Sequence, residues 1–105
     1  VFVSGMVGWN EDERFESKSF VDQFRQTLLN TTRVLEEAGA KPEHVTRMTW
    51  YIVDKNEYLD QAAAVGATYR SIMGKHFPAM AVVVVAGLME DEARIEIETT
   101  AVVPD

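Results

Sequence analysis

The chain has no cysteine at all, which excludes a disulfide framework, a thiolate nucleophile and a Cys-ligated zinc. Histidine is nearly as scarce: His44 and His76 are the only imidazoles, so nitrogen ligands for a metal are few and no metal site is expected. Basic residues are in deficit, ten Lys plus Arg against seventeen Asp plus Glu, for a formal charge of -7. That is the wrong sign for binding a phosphate backbone through counterion release, so no nucleic-acid partner is expected. The longest apolar run, Ala79 to Met89, falls well short of the roughly 18 residues of a membrane-spanning helix. No signal peptide is visible, and the expected location is cytoplasmic.

What is present is a chain of 105 residues, 47% hydrophobic and 26% charged, the right size for one compact domain over residues 1–105. Val1-Phe2-Val3 is β-prone and runs straight into Ser4-Gly5, so it reads as a strand already under way, with residues missing upstream. Asn10 to Glu16 is charged, and its Asn and Asp turn chemistry reads as a solvated hairpin loop. Phe20, Phe24, Leu28, Thr31, Leu35 and Ala38 then recur at helical spacing. Ser19 with Asp22 resembles a capping box, with an acid too short to reach back well, and Gly39 and Pro42 stop the helix. In this reading Gln23 falls off the apolar face.

Val45 to Val53 has apolar side chains on both alternating sets, the pattern of a strand covered on both faces. Asp54 with Glu57 at the capping-box position opens a second helix, whose inward face is Tyr58, Ala62, Val65, Tyr69 and Ile72, and Gly74 ends it. Ala79 to Leu88 is another continuously apolar strand. Arg94 to Val103 alternates, with Ile95, Ile97, Thr99, Ala101 and Val103 on one face. The order β, α, β, α, β, β predicts an α+β sandwich with two helices on one face of a sheet. Two strands apolar on both faces leave the second sheet face in need of cover, which argues for a homo-oligomer.

Ser4-Gly5, Gln26, Leu28, Asn30, Glu37-Ala38-Gly39, Val45, Thr49, Val53-Asp54 and Tyr69 occur in an order that resembles the RidA/YjgF family. Its most specific part is Phe77-Pro78-Ala79-Met80-Ala81, through Val85-Ala86-Gly87-Leu88, to Ile95-Glu96-Ile97-Glu98. The resemblance implies a chorismate-mutase-like fold with a mixed, mainly antiparallel sheet. It also implies a homotrimer with small-metabolite clefts between subunits, and hydrolysis of imines or enamines to ketones and ammonia without a cofactor. Carried over by position, Glu96 is the catalytic group that places water and moves protons, and Gly5, Met6, Met80, Ala81 and Val82 bind the substrate.

Two positions depart from the family pattern. Met80 stands where the deaminases carry an arginine that grips the substrate carboxylate, and Met6 stands where they read glutamine. A thioether offers almost no acceptor strength and no charge, so a small 2-imino acid is expected to bind poorly unless Arg47 or Arg94 supplies the missing cation. Met6, Met80 and Val82 would otherwise line a more apolar pocket, since methionine adapts to irregular shapes; ordinary core packing is the alternative for both methionines. On the same evidence the chain is either an imine or enamine deaminase of altered specificity or a non-catalytic, metabolite-binding family member.

The remaining candidates are weaker. His44 and His76 follow a turn and a helix stop, places for surface or capping histidines. Glu11-Asp12-Glu13 and Glu90-Asp91-Glu92 lack calcium-loop spacing and read as solvated turns. Trp50 belongs to a core strand, whereas Trp9 fits a pocket rim or interface as well as a core.

Overall fold

The structure, a computed structural model, describes residues 1–105. Strands β1 (Phe2–Val7), β2 (Val45–Ile52), β3 (Ala79–Val84) and β4 (Ile95–Ala101) form one sheet in the order β1-β4-β2-β3. β4 is antiparallel to both of its neighbours, and β2 and β3 are parallel, so the sheet is mixed and mainly antiparallel. A parallel pair needs a long crossover. Here it is supplied by α2 (Lys55–Asp60) and α3 (Ala62–Met73). Helix α1 (Phe20–Glu37) lies across β1 and β4 and against α3, on the same side of the sheet.

Helix α1 forms where its spacing predicts. Ser19 caps it, its hydroxyl accepting the Asp22 amide at 3.5 Å, while the Asp22 carboxylate turns away to accept from the Ser17 hydroxyl at 2.9 Å. Only half of the capping box is therefore made, as the short acid suggests. Phe20, Phe24, Leu28 and Leu35 are fully buried. Thr27 and Thr31 complete the stripe by donating their hydroxyls to the carbonyls one turn back.

Gln23 is a correction: it is buried, because its side chain staples α1 to the segment that enters β4. Its Nε2 donates to the Ser17 and Glu92 carbonyls at 3.0 and 2.9 Å, and its Oε1 accepts the Arg94 amide at 2.8 Å. Gly8 lets α1 approach this closely, since a Cβ there would collide with the Gln23 backbone.

Four other expectations change. Asn10 to Glu16 is no hairpin, because β1 pairs with the distant β4 and the loop leads into α1 instead. The Asn10 side chain organises it, accepting the Asp12 and Arg14 amides at 2.9 and 3.1 Å. The second helix is two, offset at Gln61: the buried residues of α3 are Val65, Tyr69 and Met73, and Ala62 is exposed. Asp54 caps α2 through the Asn56 and Glu57 amides, but Glu57 forms an ion pair with Arg94 at 3.2 Å rather than closing the box. Finally, β3 stops at Val84 and lies at the sheet edge, so within one chain its apolar residues are mostly exposed instead of covered on both faces.

Candidate functional site

The sheet has a face covered by helices and an open face, and the strand register assigns each residue to one of them. Ile95, Ile97, Thr99 and Ala101 of β4 and Met48, Trp50 and Ile52 of β2 are buried beneath the helices. Glu96 and Glu98 alternate with them and stand on the open face, opposite Tyr51 and Thr49 respectively.

Gly5 and Glu96 meet there. Ser4 and Gly5 sit in a β-bulge, where the pairing of β1 with β4 slips between Val3 and Met6. The bulge lays the Gly5 backbone against the Glu96 carboxylate so closely that a Cβ at position 5 would overlap its oxygen. Any side chain other than hydrogen would have to displace the acid. Next to it the Tyr51 hydroxyl donates to Glu98 Oε1 at 2.8 Å. That bond to a carboxylate raises the Tyr51 pKa above its ordinary value, with desolvation and the charges of Glu98 and Glu96 acting in the same direction and Arg47 against them. Arg47 lines an open cleft of about 480 Å³ on this face with Ser4, Thr49 and Glu98.

The other expected binding residues divide between the faces. Ala81 aligns with Thr49 on the open face, whereas Met80 and Val82 align with Met48 and Trp50 on the helical side. Met6 is paired with Ile97 and packs partly into the core, consistent with the packing alternative for that methionine. Met80 is 48% exposed at the mouth of a groove of about 200 Å³ between α3 and the β2/β3 edge, lined also by Trp50, Tyr69, Arg70 and Phe77. Neither Gly5 nor Glu96 borders that groove. Of the two arginines considered as replacements at position 80, Arg94 is held by Glu57 and Arg47 lies on the open face. The arginine that does share the groove with Met80 is Arg70, which sequence reasoning missed because a lone cation in the last turn of a helix looks like a surface residue.

The lesser candidates have structural work. His44 Nδ1 accepts the Lys41 amide at 3.0 Å, and His76 Nε2 lies 2.6 Å from the Val45 carbonyl and ties the loop before β3 to the start of β2. Trp50 is in the core, 4.8 Å from Phe24 between ring centres, and half-buried Trp9 leans on Phe15. No group of three or more acidic or histidine side chains converges to hold a metal ion. No helix is long and apolar enough to cross a membrane.

Comparison with known proteins matches this arrangement over nearly the whole chain. The family model Endoribonuclease L-PSP matches residues 1–103. The 2-iminobutanoate/2-iminopropanoate deaminase of Escherichia coli is 33% identical, over 97% of this chain and 78% of that protein. Among solved structures, the YjgF gene product of E. coli superposes with a TM-score of 0.80 at 34% identity, covering 96% of this chain and 78% of its own. E. coli TdcF with bound serine superposes at 0.83 with 27% identity, covering 98% and 80%. The helix-backed sheet, the glycine bulge against Glu96 and the extent of these matches lead to one assignment: the chain belongs to the RidA/YjgF family and has its chorismate-mutase-like α+β fold.

Proposed function

We propose that this chain forms a homotrimer with small-metabolite clefts between subunits and hydrolyses imines or enamines to ketones and ammonia, with a substrate range altered by Met80. The observation that carries this reading is the contact of Gly5 with Glu96. Hydrolysis of an imine needs a water held against the carbon and a group that takes and returns protons. A carboxylate packed beside a backbone bulge on the open face is available for both tasks, with Glu96 as the catalytic group. The exposed apolar strand β3 supports assembly, because a free edge rich in valine gains by being covered. The relatives' activity on 2-iminobutanoate and 2-iminopropanoate supports the reaction class. The charge of -7 speaks against a nucleic-acid substrate.

One observation favours a second reading, a non-catalytic member that binds a metabolite: at position 80 a methionine stands where a deaminase would place its carboxylate-binding arginine. Ammonia release from imines generated in situ by an amino-acid oxidase separates the two. Turnover by the parent protein that disappears in Glu96→Gln supports the deaminase. No turnover in the parent but turnover in Met80→Arg means an intact scaffold that has given up the reaction. Silence from both removes the deaminase reading, and a single-chain mass in solution removes the intersubunit cleft.

A further inference from the structure

We infer that Arg70 is the specificity-determining cation of the Met80 groove, and that the groove takes a small carboxylate bearing an apolar, preferably aromatic, side chain, such as a 2-oxo or 2-imino acid. The inference rests on reading the chain as a metabolite-binding member of its family.

The groove is mainly apolar, and Arg70 is the one charged residue that lines it. Its aromatic wall continues the core outward: Phe24 touches Trp50, Trp50 lies 6.1 Å from Tyr69, and Tyr69 stacks at 5.6 Å on Phe77, which is 67% exposed. A ring entering beside Phe77 and Met80 would add to this series through aromatic and sulfur contacts. Trp50, only 2% exposed, forms part of the groove wall, and its Nε1 is buried without a hydrogen-bond partner.

Arg70 is placed to supply the charge. It stands one turn after Gly66, and its Nη1 lies 3.3 Å from where a Cβ on Gly66 would be. Helical side chains lean toward the N-terminus, and this one lies back over Gly66 instead of reaching forward to the free carbonyls at the end of α3. Glycine inside a helix costs about 1 kcal/mol relative to alanine, and here it leaves open the space beside the guanidinium. Arg70 has no ion-pair partner, since the chain's ion pair joins Arg94 to Glu57. A planar guanidinium at the border of an apolar groove fits a carboxylate through two charge-assisted hydrogen bonds. The cation lost from strand position 80 is thereby replaced from the facing helix, and the exchange leaves room along β3 for a larger side chain than an arginine at position 80 would allow.

Isothermal titration calorimetry with phenylpyruvate, its neutral analogue phenylacetone and the small acid 2-oxobutanoate tests this on the intact protein. Phenylpyruvate should bind more tightly than 2-oxobutanoate. Arg70→Gln should weaken phenylpyruvate at least about tenfold through loss of the charge-assisted pair, while Arg70→Lys retains part of the affinity and phenylacetone binding is unchanged by either. Equal phenylpyruvate affinity in Arg70→Gln, or no phenylpyruvate binding by the parent, overturns the inference. Arg70 is exposed, so its replacement leaves the core intact. Binding that depends on Arg70 without ammonia release from imines would sink the deaminase reading and leave this one standing.

Discussion

β3 and β4 both contribute apolar side chains to the sheet, yet they end in opposite environments. β4 alternates, and its burial follows residue by residue: Ile95, Ile97 and Ala101 are completely covered while Glu98 faces solvent. β3 is apolar at every position, and within the chain Met80, Val83 and Val84 remain exposed. Alternation describes a strand whose two faces are allotted by its own chain, one to the core and one to water. Unbroken apolarity on an edge strand describes a surface that the chain alone does not finish. The same contrast explains why Glu96, alternating with core residues, is placed by the chain itself, whereas the surroundings of Met80 consist of a half-open groove.

The sharpest way to break the comparison is to truncate both strands. Ile97→Ala removes a completely buried side chain and should destabilise the protein by about 3 kcal/mol, lowering the melting temperature by more than 10 °C on the usual scale of about 4–8 °C per kcal/mol. Val83→Asp at the exposed edge should leave the chain folded but break the proposed trimer, giving the mass of one chain by light scattering. Equal thermal losses for the two variants in a protein that is a single chain in solution would remove the distinction between the strands.

A smaller effect sharpens the account of the open face. Gly5→Ala puts a methyl group against the Glu96 carboxylate, with an expected cost of about 1 kcal/mol or less, because the half-exposed acid can swing aside. Combining it with Glu96→Ala should recover most of that loss, a coupling that denaturant titrations of the four proteins of the cycle would measure. Additive losses would mean that the bulge and the acid do not press on each other.

The least effect is expected at Tyr51. Its pKa is raised by the hydrogen bond to Glu98, so ultraviolet titration should find it ionising at higher pH than a free tyrosine, and Glu98→Ala should return it toward the ordinary value. A group that holds its proton more tightly when folded stabilises fully below the unfolded pKa and loses that contribution as pH rises through the folded one. The bond therefore acts at neutral pH and fades only in strong alkali. An unchanged titration in Glu98→Ala would place the cause elsewhere.

Much of this was legible in the residues alone. Helix α1 with its Ser19 cap, the apolar stripe from Phe20 to Leu35, the strand character of β2, β3 and β4 and the inward face of β4 follow from local periodicity, which acts over a few residues and needs no knowledge of the rest of the chain. The family pattern also singled out Gly5 and Glu96. What only the tertiary structure decided is non-local: β1 pairs with β4 instead of folding back as a hairpin, Gln23 is buried because the segment entering β4 crosses it, and Arg70 shares a groove with Met80. No sequence spacing encodes which strand edges meet or which helix lies over which strand, because those choices are made by burial and backbone hydrogen bonding between segments far apart in the chain.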